Sequence, residues 1–351
     1  MFELRKAFYI LGILFAAVVC VLLCSCSKVD LSEGDMPYIT FGVSQMVVET
    51  KGLIESLGGT NSPKVFVYGV RNNTEQIYNK TEIIKGQDNV WTSGTVNRWI
   101  SGSNYSFYGY TYSPMNITNG VENPNPNCVV SNDGFKIEVT QPAIFNEEND
   151  DDDFEFVDYL FSHSYKVDDG ANGDKVMLKM QHAMACVDII VKREELEHDI
   201  TVNSVSVSKI YRSAVMQCVQ QANYADDAAN NVWEIKLQGT DDVSYVFGPF
   251  TPYYTSYVIG KISFLAVPQE LFSGAKLVVE YSVDEDNNDT TPSINYTQSF
   301  NLYNYRPYVW ESGHKITYSL TINTGVKLSA KVSDWSDGGY IEGIILPNTN
   351  S

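Results

Sequence analysis

Val176-Met177-Leu178-Lys179-Met180 decides the class of fold, because apolar side chains recur at every second position, the period of a strand that sets one face on a core. The same pattern repeats outward in both directions. Lys64-Val65-Phe66-Val67-Tyr68-Gly69-Val70, Tyr105-Ser106-Phe107-Tyr108-Gly109-Tyr110 and Phe135-Lys136-Ile137-Glu138-Val139 carry β-branched and aromatic residues in alternation. Breakers separate them: Gly58-Gly59, Asn72-Asn73, Asn123-Pro124-Asn125-Pro126-Asn127 and Asp168-Asp169-Gly170. In the second half, Ile200 to Ile210, Tyr211 to Val219, Val232 to Leu237, Tyr257 to Val267, Leu277 to Val283, Ser299 to Tyr303, Lys315 to Ile322 and Val326 to Val332 read as strands. Only Glu194 to His198 suggests a helical turn, so the expected class is all-β.

Long alternation flanks Lys192-Arg193-Glu194-Glu195-Leu196-Glu197-His198-Asp199, the most charged stretch outside the acidic loops. This predicts two β-sandwich domains in tandem, residues 37–195 and 196–351, behind a leader over 1–25 and a linker over 26–36. A chain of 351 residues, 44% apolar, is long enough for two cores. Its 24 Lys and Arg against 43 Asp and Glu leave a formal charge of -19, which repels phosphate backbones and argues against nucleic-acid binding. Acidity of this degree can mark disorder, but 23 Tyr and 16 Phe mark a packed chain instead.

The N-terminus reads as an export signal, with Arg5 and Lys6 ahead of an uncharged apolar run from Phe8 to Leu23. A retained transmembrane helix is the competing reading, although the run falls short of the roughly 20 residues a bilayer needs. Leu23-Cys24-Ser25-Cys26 resembles a lipobox, and the small Ser25 makes Cys26 the expected acylated residue. Cys24 is the alternative, behind a bulkier Leu23. Acyl chains on Cys26 would hold an acidic protein at a membrane. Cys128, Cys186 and Cys218 remain in the folded part with no zinc or redox spacing, and read as buried thiols.

The acidic runs Glu147 to Asp153 and Asp284 to Asp289 invite a calcium reading. The second offers Asp284, Asp286 and Asn288, yet puts Asp289 where a calcium loop needs glycine and Asn295 where it needs glutamate, so both runs read as solvated loops. Four histidines are present, without an H-E-x-x-H pair, a G-x-S-x-G elbow or a phosphate-binding G-x-x-x-x-G-K-[ST] loop. His182 falls on one face of a strand, as a hydrogen-bonded structural histidine would. The expectation is a protein that is not an enzyme, with no cofactor and no metal. Spacing alone leaves a glycosidase-like carboxylate pair untested.

Several segments together resemble the fimbrillin family of bacterial surface proteins. Ile39-Thr40-Phe41-Gly42-Val43, then Glu49-Thr50-Lys51-Gly52, is similar to the family's first strand and the basic site after it, where a Thr-Arg pair is usual. Val65-Phe66-Val67-Tyr68-Gly69 resembles the next strand. Asp158-Tyr159-Leu160-Phe161, followed by Val176 to Val191 with His182 central, is similar to the family's Asp-Leu-Leu segment and its strand with a His-Ala. Ala266-Val267-Pro268-Gln269, Trp310-Glu311-Ser312-Gly313-His314-Lys315-Ile316-Thr317-Tyr318 and Val332-Ser333-Asp334-Trp335 follow in the family's order.

The resemblance implies two transthyretin-like β-sandwiches, export as a lipoprotein, and display on the outer membrane as a pilus subunit or a tip or accessory adhesin. Its partners would be other pilin subunits, joined by strand addition, and host or bacterial surface receptors. It implies proteolysis after a basic residue beyond the first strand, here Lys51-Gly52, against the alternative of an uncut surface lysine. Gly338-Gly339-Tyr340-Ile341-Glu342-Gly343-Ile344-Ile345-Leu346 is a candidate donor strand whose apolar side chains are Tyr340, Ile341, Ile344, Ile345 and Leu346. A final edge strand in its own domain is the other reading of that segment. The alternative function is a stand-alone surface lipoprotein that binds glycans through Tyr105 to Tyr112 and Tyr303 to Trp310.

Overall fold

A computed structural model describes residues 36–45, 64–86, 90–113, 116–118, 121–123, 128–131, 134–142, 156–167, 174–194, 199–218, 233–236, 242–250, 257–284, 292–306, 308–322 and 325–334. In chain order the strands of the first half are β1 Phe41–Gln45, β2 Val65–Arg71, β3 Glu75–Lys85, β4 Trp91–Ser93, β5 Asn104–Ser113, β6 Asn116–Thr118, β7 Val121–Asn123, β8 Cys128–Ser131, β9 Gly134–Thr140, β10 Asp158–Val167 and β11 Val176–His182. There follow β12 Ala185–Arg193, β13 Asp199–Tyr211, β14 Ser213–Cys218, β15 Trp233–Lys236, β16 Asp242–Phe247, β17 Val258–Ala266, β18 Gln269–Glu270, β19 Lys276–Asp284, β20 Ile294–Asn301, β21 Val309–Trp310, β22 His314–Ile322 and β23 Val326–Asp334. The expected all-β class is the one adopted.

Seven strands close a barrel in the order β1-β11-β10-β5-β2-β3-β4. The β2–β3 hairpin turns through Asn72 and Asn73 at φ 51 and 60, a left-handed pair that asparagine tolerates and a tight hairpin requires. Strand alternation then sorts the side chains. Val65, Val67, Phe107, Leu160 and Leu178 fill the barrel with Trp99. Gly109 lies on the same inner face, where an added Cβ would sit 3.0 Å from the Leu178 Cδ1.

Part of the barrel's outer face is also buried. Phe66, Tyr68, Tyr108, Tyr110, Tyr112 and Tyr159 are buried on the outside of β2, β5 and β10. They are covered by a four-stranded sheet of order β15-β14-β9-β8, with Phe135 of β9 5.4 Å from the rings of both Tyr68 and Tyr108. Two further four-stranded sheets, β17-β12-β22-β23 and β16-β13-β19-β20, form a sandwich. Val187, Ile189, Ile316 and Tyr318 from one and Val205, Val207, Leu277 and Val279 from the other fill it. The aromatic face of the barrel and the sandwich interior belong to one continuous apolar cluster.

Two local expectations differ from what the chain does. Val176 to Val191 is two strands, broken at Ala183-Met184: Ala183 N–H donates to Tyr159 O at 2.8 Å, in register with the β10 ladder, whereas Met184 O accepts the Gly313 N–H at 3.0 Å and β12 then pairs with β17 and β22. The strand expected from Ser299 begins earlier and stops at Asn301, whose Oδ1 accepts the Tyr303 N–H at 3.0 Å and starts a 3-10 turn over Leu302–Asn304. Strand pairing also runs across residues 195/196. β12 pairs antiparallel with β17 and parallel with β22, and β9 pairs with β14. Within the charged stretch Arg193 is 2% exposed in β12, and Glu194 N–H donates to Ile322 O at 2.9 Å.

Candidate functional site

The seam that closes the barrel is built by β1. Its five residues run parallel to β11, from Phe41 opposite Val176 to Gln45 opposite Met180. On its other side one pair alone, Phe41 with Trp91, joins it to β4. Before β1 the chain is pinned by Trp99 N–H to Pro37 O at 3.0 Å, Ile39 N–H to Asn97 O at 2.9 Å, and the Arg98 guanidinium 4.0 Å over the Tyr38 ring. Phe41 is fully buried, edge-on to Tyr78 at 5.6 Å and Phe107 at 5.7 Å. An inserted aromatic ring and a short ladder therefore supply most of what holds β1. Without β1, the edges of β11 and β4 would carry unpaired backbone groups beside an apolar groove.

A second polar feature lies where barrel meets sandwich. The ring Nδ1 of His182 is 3.0 Å from the Asp158 carboxylate, both side chains buried. Its carbonyl accepts the Ser312 hydroxyl at 3.0 Å, from the β21–β22 turn that Gly313 makes at φ 70. His182 is thus a junction residue that ties β10 and β11 to the sandwich, with Ser312 bonded to its carbonyl and not to its ring. Nearby, Asp188 of β12 is held by Lys315 Nζ at 2.8 Å, Lys261 Nζ at 3.6 Å and the Ser263 hydroxyl at 2.6 Å. Burial pushes the Cys186 thiol up to about 12, and the Asp188 carboxylate adds to the rise. Cys186 is therefore a protonated core thiol, as its sequence context suggested. Among the described residues, no three His, Cys, Asp or Glu side chains converge as metal ligands.

Of the expected site residues, Cys26, Lys51, Gly52, Tyr340, Ile341, Ile344, Ile345 and Leu346 all lie outside the described residues. So do the first acidic run and the second beyond Asp284. The aromatics named for glycan stacking divide. Tyr105, Phe107, Tyr108, Tyr110 and Tyr112 are at most 2% exposed, so this stretch fills cores and presents no platform. Tyr303 is exposed and lies 5.8 Å from Tyr308. Sequence reading missed Asp158 as the partner of His182 and Trp91 as the far anchor of β1. The first had a signal, a lone Asp opening an apolar strand; the second had none.

A family model for fimbrillin-like proteins matches residues 58–335. Among solved structures the chain is similar to a fimbrial protein from Bacteroides vulgatus ATCC 8482, at 15% identity over 84% of this chain and 99% of that one, with a TM-score of 0.56. It also matches candidate cell adhesion proteins from Bacteroides ovatus ATCC 8483, at 14% identity over 86% and 97% with a TM-score of 0.48, and Bacteroides uniformis ATCC 8492, at 14% over 85% and 99% with 0.47. The first of these carries the likeness of fold. A search of curated proteins found no match. With the family model spanning residues 58–335, most of the chain's length, this protein belongs to the fimbrillin-like family.

Proposed function

We propose that the chain is a pilus subunit or a tip or accessory adhesin, held on the outer membrane through acylated Cys26, and that it assembles with other pilin subunits by exchange of strands. The observation that supports this reading is the seam strand β1. It lies ahead of Lys51-Gly52 in sequence, it is short, and its loss would leave a groove lined by Tyr78, Phe107, Val176 and Leu178 with open backbone on both sides. An incoming strand with apolar residues at alternate positions would satisfy both the backbone groups and the groove. Tyr340, Ile341, Ile344, Ile345 and Leu346 belong to the candidate donor strand from another subunit, with Ile341 and Ile345 on one face and Tyr340, Ile344 and Leu346 on the other. The role needs no cofactor and no reacting side chain. Membership of the fimbrillin-like family and the likeness to a fimbrial protein point the same way.

Treating the lipidated protein with a trypsin-like protease and sequencing the new N-terminus tests the processing step. A new N-terminus at Gly52 with release of β1 is expected; resistance at Lys51 under native conditions would remove it. Deleting Tyr340 to Ser351 should abolish polymerisation while the fold persists. Glycan binding is a second reading, now confined to the exposed Tyr303 and its neighbour Tyr308. A glycan array on the mature protein distinguishes it from assembly.

A further inference from the structure

Four strands end the two sheets of the sandwich, and three carry features that stop a sheet from growing. β23 holds Lys327 and Lys331. β17 holds Lys261, and its register shifts at Val191/Lys192. β16 opens on Asp242, and its register shifts between Ser208 and Ile210. β20 differs from all of them. Ile294-Asn295-Tyr296-Thr297-Gln298-Ser299-Phe300-Asn301 contains no charge, proline or glycine, and it pairs with β19 over eight residues without a register shift. From Ile294 to Ser299 every residue is exposed, on both faces of the strand. Its outer edge has no ladder partner among the described residues.

The backbone polarity of that edge follows from one hydrogen bond. Leu302 N–H donates to Ala275 O at 2.9 Å, and ladder bonds of an antiparallel pair fall on alternate residues. Ile294, Tyr296, Gln298 and Phe300 thus direct their N–H and C=O groups at β19. Those of Asn295, Thr297 and Ser299 point away from the sheet. The side chains mirror about the middle of this set: Tyr296 and Gln298 flank Thr297, then Asn295 and Ser299, then Ile294 and Phe300.

We propose that β20 is a homodimerisation edge, on which a second copy of this chain adds its own β20 antiparallel across a two-fold axis through Thr297. Asn295 of one copy then faces Ser299 of the other, Ile294 faces Phe300, and the outward backbone groups meet in register. Only registers whose paired numbers sum to an even value keep core-side residues on one face, and this register meets that condition. It joins the two four-stranded sheets into one of eight. The interface is isologous, so it closes at two copies. In a chain of net charge -19, an uncharged strand is where two copies approach at least electrostatic cost.

The test uses the full-length chain. Thr297→Cys, oxidised on intact cells, should give a disulfide-linked dimer about tenfold or more above the Ser244→Cys control on β16, since a self-facing pair brings the two Cα atoms within disulfide reach. In detergent extracts the parent should sediment as a dimer of strength on the order of micromolar, the class of small interfaces. Thr297→Lys and Ser299→Pro should each weaken it about tenfold or more, the first by like charges at the axis and the second by removing an outward N–H while leaving the β19 ladder whole. Unchanged circular dichroism separates this from misfolding. A parent that stays monomeric at every concentration overturns the proposal, as does a dimer that both variants leave intact.

Discussion

His163 shows at a single residue how strand alternation becomes pH dependence. It stacks on Tyr108 at 4.7 Å, on the aromatic face between barrel and covering sheet, and burial holds its pKa down at about 4. Because the unfolded chain binds the proton near pH 6.5, the stability that neutral His163 contributes is whole above about 6.5 and is lost as pH falls toward 4, reaching about 3 kcal/mol. His163→Phe, which keeps the stack, should flatten the dependence of the urea midpoint on pH across that window; an unchanged slope would assign it elsewhere. Cys186 titrates at about 12, so under native conditions at pH 8 its alkylation should be slower than that of a free thiol by about a thousandfold, read by peptide mapping. For the buried His182–Asp158 pair, Asp158→Ala should cost about 2–4 kcal/mol in denaturant unfolding. The sequence placed His182 on one strand face, but not its partner 24 positions earlier, because a contact between strands depends on register.

At the scale of elements, β1 is held by a short parallel ladder to β11 and one fully buried ring, Phe41. Phe41→Ala should destabilise by about 3–5 kcal/mol, and hydrogen exchange at Gly42 and Val43 should rise before that of β10 or β5. Equal protection throughout would mean that β1 is not a separable unit. Most strands were legible from alternation, including β2, β5, β9, β11 and β22. Those strands keep one or both faces in a core, so their pattern carries the signal. β20 was half seen for the converse reason: six of its residues face water on both sides, and its sequence records no core. The break between β11 and β12 was invisible because both sides of it are apolar and it follows a change of partners, from β10 to β17 and β22, with Gly313 bonded at Met184 between them.

At the scale of the whole molecule, barrel and sandwich share more than a linker. Gln141 is buried and brackets Val157, donating from Nε2 to its carbonyl at 2.7 Å and accepting its N–H at 2.9 Å. Its own N–H donates to Arg212 O at 2.7 Å, at the joint of β13 and β14, while Tyr245 reaches the Pro142 carbonyl at 2.8 Å. With one apolar cluster running through both parts, we expect a single calorimetric transition whose van't Hoff and calorimetric enthalpies agree; two resolved transitions would contradict the shared core. What the sequence by itself determined was the class and the family: alternation names strands, and ordered landmarks carry kinship at low identity. Tertiary structure alone decided which strands meet, that the Tyr105 to Tyr112 stretch is buried, and which sheet edge has no ladder partner among the described residues. Those outcomes depend on pairing between residues far apart in the chain, which a period of two specifies in direction but not in partner.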